Sequence, residues 1–544
     1  MSSSLTQGVV ALVAAWSLWR LAQRLTAASP FDNISGPTPQ SAWKGHIDQY
    51  FHRDGWKFQK DVAQNYGSVV KLYELFGRSF LYVYDPKALH TMFFRDQNLF
   101  EESEEYSKMN SLLFGPGVLA TVGNHHRKQR KMLNPVFSVN HMKHMLPTFY
   151  GVIHQLRDTL ASRVADGHQE IDILQWIGRT AVEIIGQAGL GYSFDPLVDD
   201  EPDTYVRDMK AMLPTIVELT PLLLVAARLS HLGPAWLRRL VVDIFPNKKV
   251  QKLKSIVDTM ASRSMMIYQA KKKALQQGDE AVARQVGEGK DIMSILMRAN
   301  MEASADDRLP EEELIAQMST LIFSALDSTS NTIARILHHL AERQDIQQKV
   351  REEVSEALRH GDLQYDELIQ LPYLDAVCRE TLRVDPPATL NLRVALQDTV
   401  LPLSGPIRGV DGSTIQEIPI PKGSSILIGV LGSNTNKAIW GEDASEWRPE
   451  RWLEPMPSTI SEASIPGVFS NLMTFSGGTR ACIGFKFSEM EMKAVLSILL
   501  SSFTFELTEQ PIVWNVAHVC YPTVGKESND AQMPLRLKLL KTDL

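Results

Sequence analysis

The stretch that most restricts what this chain can become is FSGGTRACIG, residues 475–484, where Cys482 sits in a glycine-rich turn leading into a long apolar helical pattern. Gly477, Gly478 and Gly484 have no Cβ and are expected to let the backbone approach a flat, bulky partner. Arg480 offers a planar, permanently charged donor fork that matches a carboxylate. The turn-to-helix position aims unpaired amides and the positive end of the helix dipole at the sulfur, so thiolate is expected over thiol. The other two cysteines, Cys378 and Cys520, complete neither a disulfide framework nor a zinc pattern. Both read as small buried hydrophobes. A single thiolate cannot cage zinc, but it can be an axial ligand to a metal already held by a macrocycle.

The rest of the chain reads as one large unit. Of its 544 residues 44% are hydrophobic and 22% charged, and the net charge of −7 gives no basic field for nucleic acid. VVKLYELFGRSFLYVYDP predicts two strands around a Phe76-Gly77-Arg78-Ser79 turn. Helical patterns dominate from about Pro86 to Leu382, short β-type runs fill Val394 to Ile428, and a last long helix is expected over about Ile483–Phe503. No long linker divides this body. It is expected to be mainly α with smaller β regions, a single large domain over 43–544.

Before it, Ser2 to Trp19 carry no charged side chain, close to the ~20 apolar residues a bilayer needs. Arg20 and Arg24 follow the run instead of preceding it, which fits a membrane anchor (1–24) with the body on the cytoplasmic side. An amphipathic helix lying on the membrane is the alternative. Residues 25–42, rich in Pro, Gly and Ser, read as a stiff linker. This topology puts the Asn33-Ile34-Ser35 sequon on the wrong side for glycosylation, so it reads as a chance match.

Phe475, Gly478, Arg480, Cys482 and Gly484 match F-x-x-G-x-R-x-C-x-G, and on these residues the chain resembles the cytochrome P450 enzymes. Further segments follow in the family's order. GNHHRKQRKMLNPVF resembles the helix whose W-x-x-x-R appears as His126 and Arg130. In ELIAQMSTLIFSALDSTSNTIARILHHL, Asp327-Ser328-Thr329 stand where the family has D/E-T-T/S, with Ser324 and Ala325 in place of its small pair. Glu380 and Arg383 form E-x-x-R, and Arg451 in WRPERW completes the family's structural triad. Read without the resemblance, the Glu–Arg pair is an ordinary solvated helix pair, and the hydroxyls bond back to the preceding turn.

The resemblance implies haem b on the Cys482 thiolate, whose electron push favours O–O cleavage in these enzymes. It implies propionate contacts from His126, Arg130, Arg393 and Arg480, and an Asp327, Ser328 and Thr329 relay carrying protons to dioxygen. The implied reaction inserts one oxygen atom of O2 into a lipophilic small molecule, a terpenoid or other specialised metabolite. Electrons would come from NADPH through a separate cytochrome P450 reductase, docked on the basic face Arg127, Lys128 and Lys131. The implied location is the endoplasmic reticulum membrane.

The resemblance implies cavity walls at Met109–Leu119, on the Ile322, Phe323 and Leu326 face, at Ala388–Leu392 and at Val519–Val524. The very apolar Met212–Phe245 stretch reads mostly as core helix packing; in the resemblance it roofs the substrate channel and touches lipid. Two other readings remain: a thiolate-haem isomerase or dehydratase of peroxides, and a non-catalytic membrane haem-binding protein.

Overall fold

The computed structural model describes residues 29–198 and 203–540. The expected anchor over 1–24 lies outside them. Among the described residues the chain is predominantly helical with four small sheets. The helix Glu311–Glu342 runs through the middle and is buried on nearly every face, as its all-round apolar sequence requires. Three glutamates in its first turn, Glu311 to Glu313, complement the positive end of its dipole. It packs on Ile173–Ile184, Lys248–Gln277, Phe485–Ser502 and Pro372–Val384.

A five-stranded sheet flanks this helical body, in the order Val69–Tyr73, Ser79–Val83, Ser425–Gly429, Leu390–Ala395, Phe100–Glu101. The first two form the hairpin expected from the sequence, with Val69 opposite Val83. The β-type runs after Val394 form Thr399–Arg408, Thr414–Ile420 and Ser425–Gly429, and the last long helix spans Phe485–Ser502.

Two expectations need correction. From Ser29 onward the supposed 25–42 linker is built into the body. Phe31 and Ile34 are buried core residues, and the Ser35 carbonyl accepts from the Lys71 amide at 2.9 Å. Apolar side chains at every third position anchor this segment despite its prolines. The Asn33 amide is also occupied: Nδ2 donates to Ser413 Oγ at 2.9 Å, and Oδ1 accepts from the Asp411 amide at 3.0 Å.

The second correction concerns Met212–Phe245, where core packing holds for only part of the stretch. In the helix Thr204–Leu229, Met212, Leu213, Ile216 and Leu219 are buried. Beyond Pro221 the burial stops, with Ala227 the exception. No residue of the next helix, Ala235–Ile244, is buried, and Trp236 is 68% and Ile244 71% exposed. Proline removes a backbone donor inside the helix, and here it stands at the boundary between a core-facing and an outward-facing half.

Candidate active site

The 475–484 loop is fixed from several directions at once. Within it, the Cys482 amide donates to the Phe475 carbonyl at 2.9 Å. Gly484 caps the helix Phe485–Ser502. Upstream, Asn434 accepts from the Met473 amide at 2.8 Å and donates to Thr474 Oγ1 at 2.8 Å, while Thr474 donates to the Leu382 carbonyl at 2.7 Å. Arg130 reaches across from the helix Gly123–Leu133 and donates to the Ala481 carbonyl at 2.5 Å, immediately before the cysteine.

The glycines do a different job from the one expected of them. A Cβ at Gly478, whose φ is +62°, would lie 2.0 Å from the Phe93 carbonyl oxygen, and one at Gly477 would lie 2.1 Å from that of Pro466. Both admit neighbouring protein backbone. Only Gly484 opens onto space, with its nearest atom, Phe137 Cε1, at 4.0 Å.

Cys482 keeps exposed surface although protein surrounds it. Burial pushes the thiol up, while the Gly484 amide and the Arg130 guanidinium pull it back. In the protein's own field burial outweighs the amide and the cation. Coordination to a metal deprotonates a thiol outright.

Around this loop the structure gathers the predicted cationic residues. Arg480 pairs with Glu101 at 2.7 Å and donates to the Thr121 carbonyl at 2.8 Å. Burial raises the Glu101 carboxyl, but Arg480 and the Gly123 and Glu102 amides outweigh it and hold the group below its usual range. Arg393 is buried, bonded to Asn391 Oδ1 and the Leu392 carbonyl, and 3.7 Å from Glu102. His126 is buried with its pKa pushed down to about 4, first by burial and then by Arg480, Arg130 and Arg127 against the pull of Glu101.

The cluster thus sets three guanidiniums and a neutral imidazole against two carboxylates, Glu101 and Glu102. Such a surplus of donors and positive charge beside an open thiol fits a macrocycle that carries its own carboxylates. Glu101 gave no sequence signal, because it meets Arg480 across 379 positions.

The triad Glu380, Arg383 and Arg451 comes together in the interior. Glu380 and Arg383, both fully buried, make two bonds of 2.7 and 2.8 Å, and Arg451 lies 3.5 Å from Glu380. Trp452 Nε1 and the Arg448 amide complete the carboxylate, at 2.9 and 3.0 Å. The guanidinium of Arg383 is satisfied by the carbonyls of Asn434, Ala444 and Glu446. This is a fully bonded buried network, not a solvated pair.

On the central helix the predicted relay residues divide. Ser324 is exposed and Asp327 and Ser328 are half-buried, while Leu326 and Thr329 are buried; Asp327 keeps open surface although protein surrounds it, so this face borders a space within the body. The Ser328 hydroxyl donates to the Ser324 carbonyl at 2.9 Å. Burial raises the Asp327 carboxyl to about 6, opposed by the charge of Lys210. Lys210, invisible as a partner in the sequence, donates to the Gln175 carbonyl at 3.2 Å, in the space Gly178 leaves free. Thr329 is buried and donates to Ser488 Oγ at 3.1 Å; it ties two helices together and is not brought to the cleft. Ile322 and Leu326 are core residues as well, so the expected Ile322, Phe323 and Leu326 wall is corrected to Phe323, which packs on Phe114 at 4.4 Å, and the serines.

The family profile described as Cytochrome P450 matches residues 35–518. Cytochrome P450 monooxygenase 81 of Postia placenta is 57% identical over 521 residues, covering 96% of this chain and 95% of that protein. Ganoderic acid synthetase CYP5150L8 of Ganoderma lucidum is 47% identical over 533 residues, covering 97% of each. The protein named cytochrome P450 monooxyhenase eriI, of Hericium erinaceus, is 37% identical, again covering 97% of each. With a thiol on a pinned loop, the cationic cluster beside it and a match across almost the whole length, this chain belongs to the cytochrome P450 monooxygenase family.

Proposed function

We propose that Cys482 would hold a haem b through its thiolate, and that the enzyme inserts one oxygen atom of O2 into a lipophilic terpenoid-like molecule. The observation that carries this reading is the open thiol of Cys482 on a loop bonded from three directions, with surplus positive charge beside it. Bound there, haem supplies dioxygen activation; the chain supplies everything that positions it. Arg130, Arg393, Arg480 and neutral His126 would hold its propionates. Asp327, with a pKa of about 6, exchanges its proton near neutrality, which suits a proton donor at the cleft. Ser328 presents a hydroxyl on the same helix face. The name of the Ganoderma lucidum relative supports a terpenoid-type substrate.

Electrons are proposed to come from NADPH through a separate reductase docking on the exposed side chains of Arg127 and Lys131 and on Lys128. Residues 1–24 are proposed to anchor the chain in the endoplasmic reticulum membrane, with the body (43–544) in the cytoplasm. The exposed apolar helix Ala235–Ile244 supports a second contact with that membrane.

The test is Cys482→Ala. The thiolate-type absorption band of the reduced CO complex is expected to vanish, and an unchanged band removes Cys482 from the assignment. With 18O2, NADPH and reductase, the product is expected to carry label. Turnover that needs only a hydroperoxide would select the isomerase reading.

A further inference from the structure

The chain as a whole carries a net charge of −7, yet the segment from Arg228 to Lys254 holds seven arginines and lysines against one acidic residue, Asp243. This is the same stretch that turns its apolar side chains outward. Leu237, Leu240, Val241 and Ile244, all exposed, follow the i, i+3, i+4, i+7 spacing of a single helix face. Arg238 stands at the edge of that face.

Ion pairs account for four of the seven cations. Arg239 meets Asp258 and Asp243, Lys254 meets Asp243, Arg228 meets Glu105 and Lys249 meets Glu218. Among the described residues Arg238, Lys248 and Lys252 have no carboxylate partner. Arg238 donates to the Gly233 carbonyl at 2.7 Å, which fixes its place without cancelling its charge. Lys248 and Lys252 are exposed and lie one turn apart on one side of the helix Lys248–Gln277. The two helices are joined at this point, where Gln251 Nε2 donates to the Val242 and Phe245 carbonyls at 2.8 and 2.9 Å. Two uncancelled lysines therefore stand at the end of the apolar helix, and one uncancelled arginine stands along it.

Apolar surface alone fits every bilayer, and surplus positive charge alone fits every acidic surface. Together they narrow the partner. An acidic protein face would answer the charges but leave the apolar side chains without a matching phase. A zwitterionic leaflet would take those side chains and give the three cations no net counter-charge. A leaflet containing anionic phospholipid answers both, because long basic side chains lay their stems along apolar surface and keep their charged ends at headgroup level.

We propose that the helix Ala235–Ile244, with Arg238, Lys248 and Lys252, is a docking surface for anionic phospholipid headgroups, so that this contact selects a leaflet by its charge. The proposal rests on the membrane contact of that helix read above. Each cation held near an anionic leaflet strengthens the contact on the order of fivefold, and salt weakens the effect.

The experiment places the full-length holoenzyme in phosphatidylcholine vesicles holding equal trace amounts of a photoreactive lipid. The probe is phosphatidylserine or phosphatidylcholine, each with the same diazirine in its acyl chain, and mass spectrometry locates the labelled peptides. Within 228–254, the serine lipid is expected to label at least about fivefold more than the choline lipid, the scale of one surface cation, and the excess should shrink at high salt. Arg238→Gln with Lys248→Gln and Lys252→Gln is expected to bring the serine lipid down to the choline level while choline labelling stays in place.

Equal labelling in the wild type, or an excess that survives the triple variant, would overturn the proposal and leave the membrane contact standing. A segment labelled by neither lipid sinks the membrane reading beneath it as well. If the triple variant unfolds early on heating, Lys248→Gln with Lys252→Gln carries the comparison and is expected to lose most of the excess.

Discussion

The helix Pro372–Val384 and the helix Ala235–Ile244 invert the usual relation between polarity and burial in opposite directions. The first buries Glu380, Thr381 and Arg383 completely. The second exposes Trp236, Leu237, Leu240, Val241 and Ile244. Buried charge is tolerated in the first because each carboxylate oxygen and guanidinium nitrogen has a partner at bonding distance. Exposed apolar surface persists in the second because nothing in the body covers it. The first region holds a loop in one geometry through directional bonds. The second confines its directional bonds to its polar side, where Arg239 meets Asp258 at 2.6 and 2.7 Å, and leaves its apolar side uncovered, the side proposed above to touch the membrane.

The largest effect should come from breaking the bonded region. Glu380→Gln keeps the shape but leaves the guanidiniums of Arg383 and Arg451 buried without their shared anion. Removing one partner of a buried pair costs about 3–5 kcal/mol, a large part of the stability of a typical domain. The variant is expected to lose several degrees of thermal midpoint and most of its thiolate-type CO band. A full band together with a midpoint within about 2 °C of wild type would show that the loop does not depend on this network.

The two regions also differ in how far their sequences can be read. The 475–484 loop was legible because its residue types are demanding and tightly spaced, whereas the Glu380, Arg383 and Arg451 triad was legible only through the family resemblance, since Arg451 meets Glu380 across 71 positions. Their partners were not. Glu101 meets Arg480 across 379 positions and Arg130 meets the Ala481 carbonyl across 351, and neither pairing leaves a local pattern. At Cys482 the sequence showed the amide and the cation that favour thiolate but not the burial that opposes them, because burial is a tertiary property. The glycines at 477 and 478 were assigned to a ligand because sequence shows a missing Cβ but not the carbonyl that takes its place. For Met212–Phe245, apolar helix periodicity is the same whether the facing medium is protein core or lipid, so only the fold separates its two halves.

An intermediate effect is expected at the cleft. The Asp327 carboxyl, with an ordinary value of 3.8, is raised to about 6 by burial. Between roughly pH 4 and pH 6 the folded chain therefore keeps a proton that the unfolded chain has released. Folding stability rises as pH falls through this window and declines as pH rises through it. Asp327→Asn is neutral at every pH and should remove that slope. At pH 7.5 the variant is expected to be more stable than wild type by on the order of 2 kcal/mol, with the advantage shrinking towards pH 5. Denaturant unfolding at the two pH values measures this. A constant difference between the proteins would mean that Asp327 is ionised in the fold at both.

The smallest change in stability, and the sharpest contrast, belongs to the exposed helix. Trp236→Ser with Ile244→Ser removes two large apolar side chains that touch little of the body, so the thermal midpoint should barely move; surface changes of this kind stay within about 0.5 kcal/mol. Membrane affinity should respond far more. Burying a side chain of this size contributes roughly 1.5–3 kcal/mol, and a helix lying in an interface buries only part of that area. With residues 1–28 removed, the remaining chain is expected to sediment with phosphatidylcholine vesicles, and the double variant to do so at least about tenfold less well. If the shortened protein stays in solution whether or not the pair is changed, the helix is not a lipid contact. If the double variant unfolds early, Trp236 and Ile244 support the fold after all, and the contrast with the Glu380 network loses its second term.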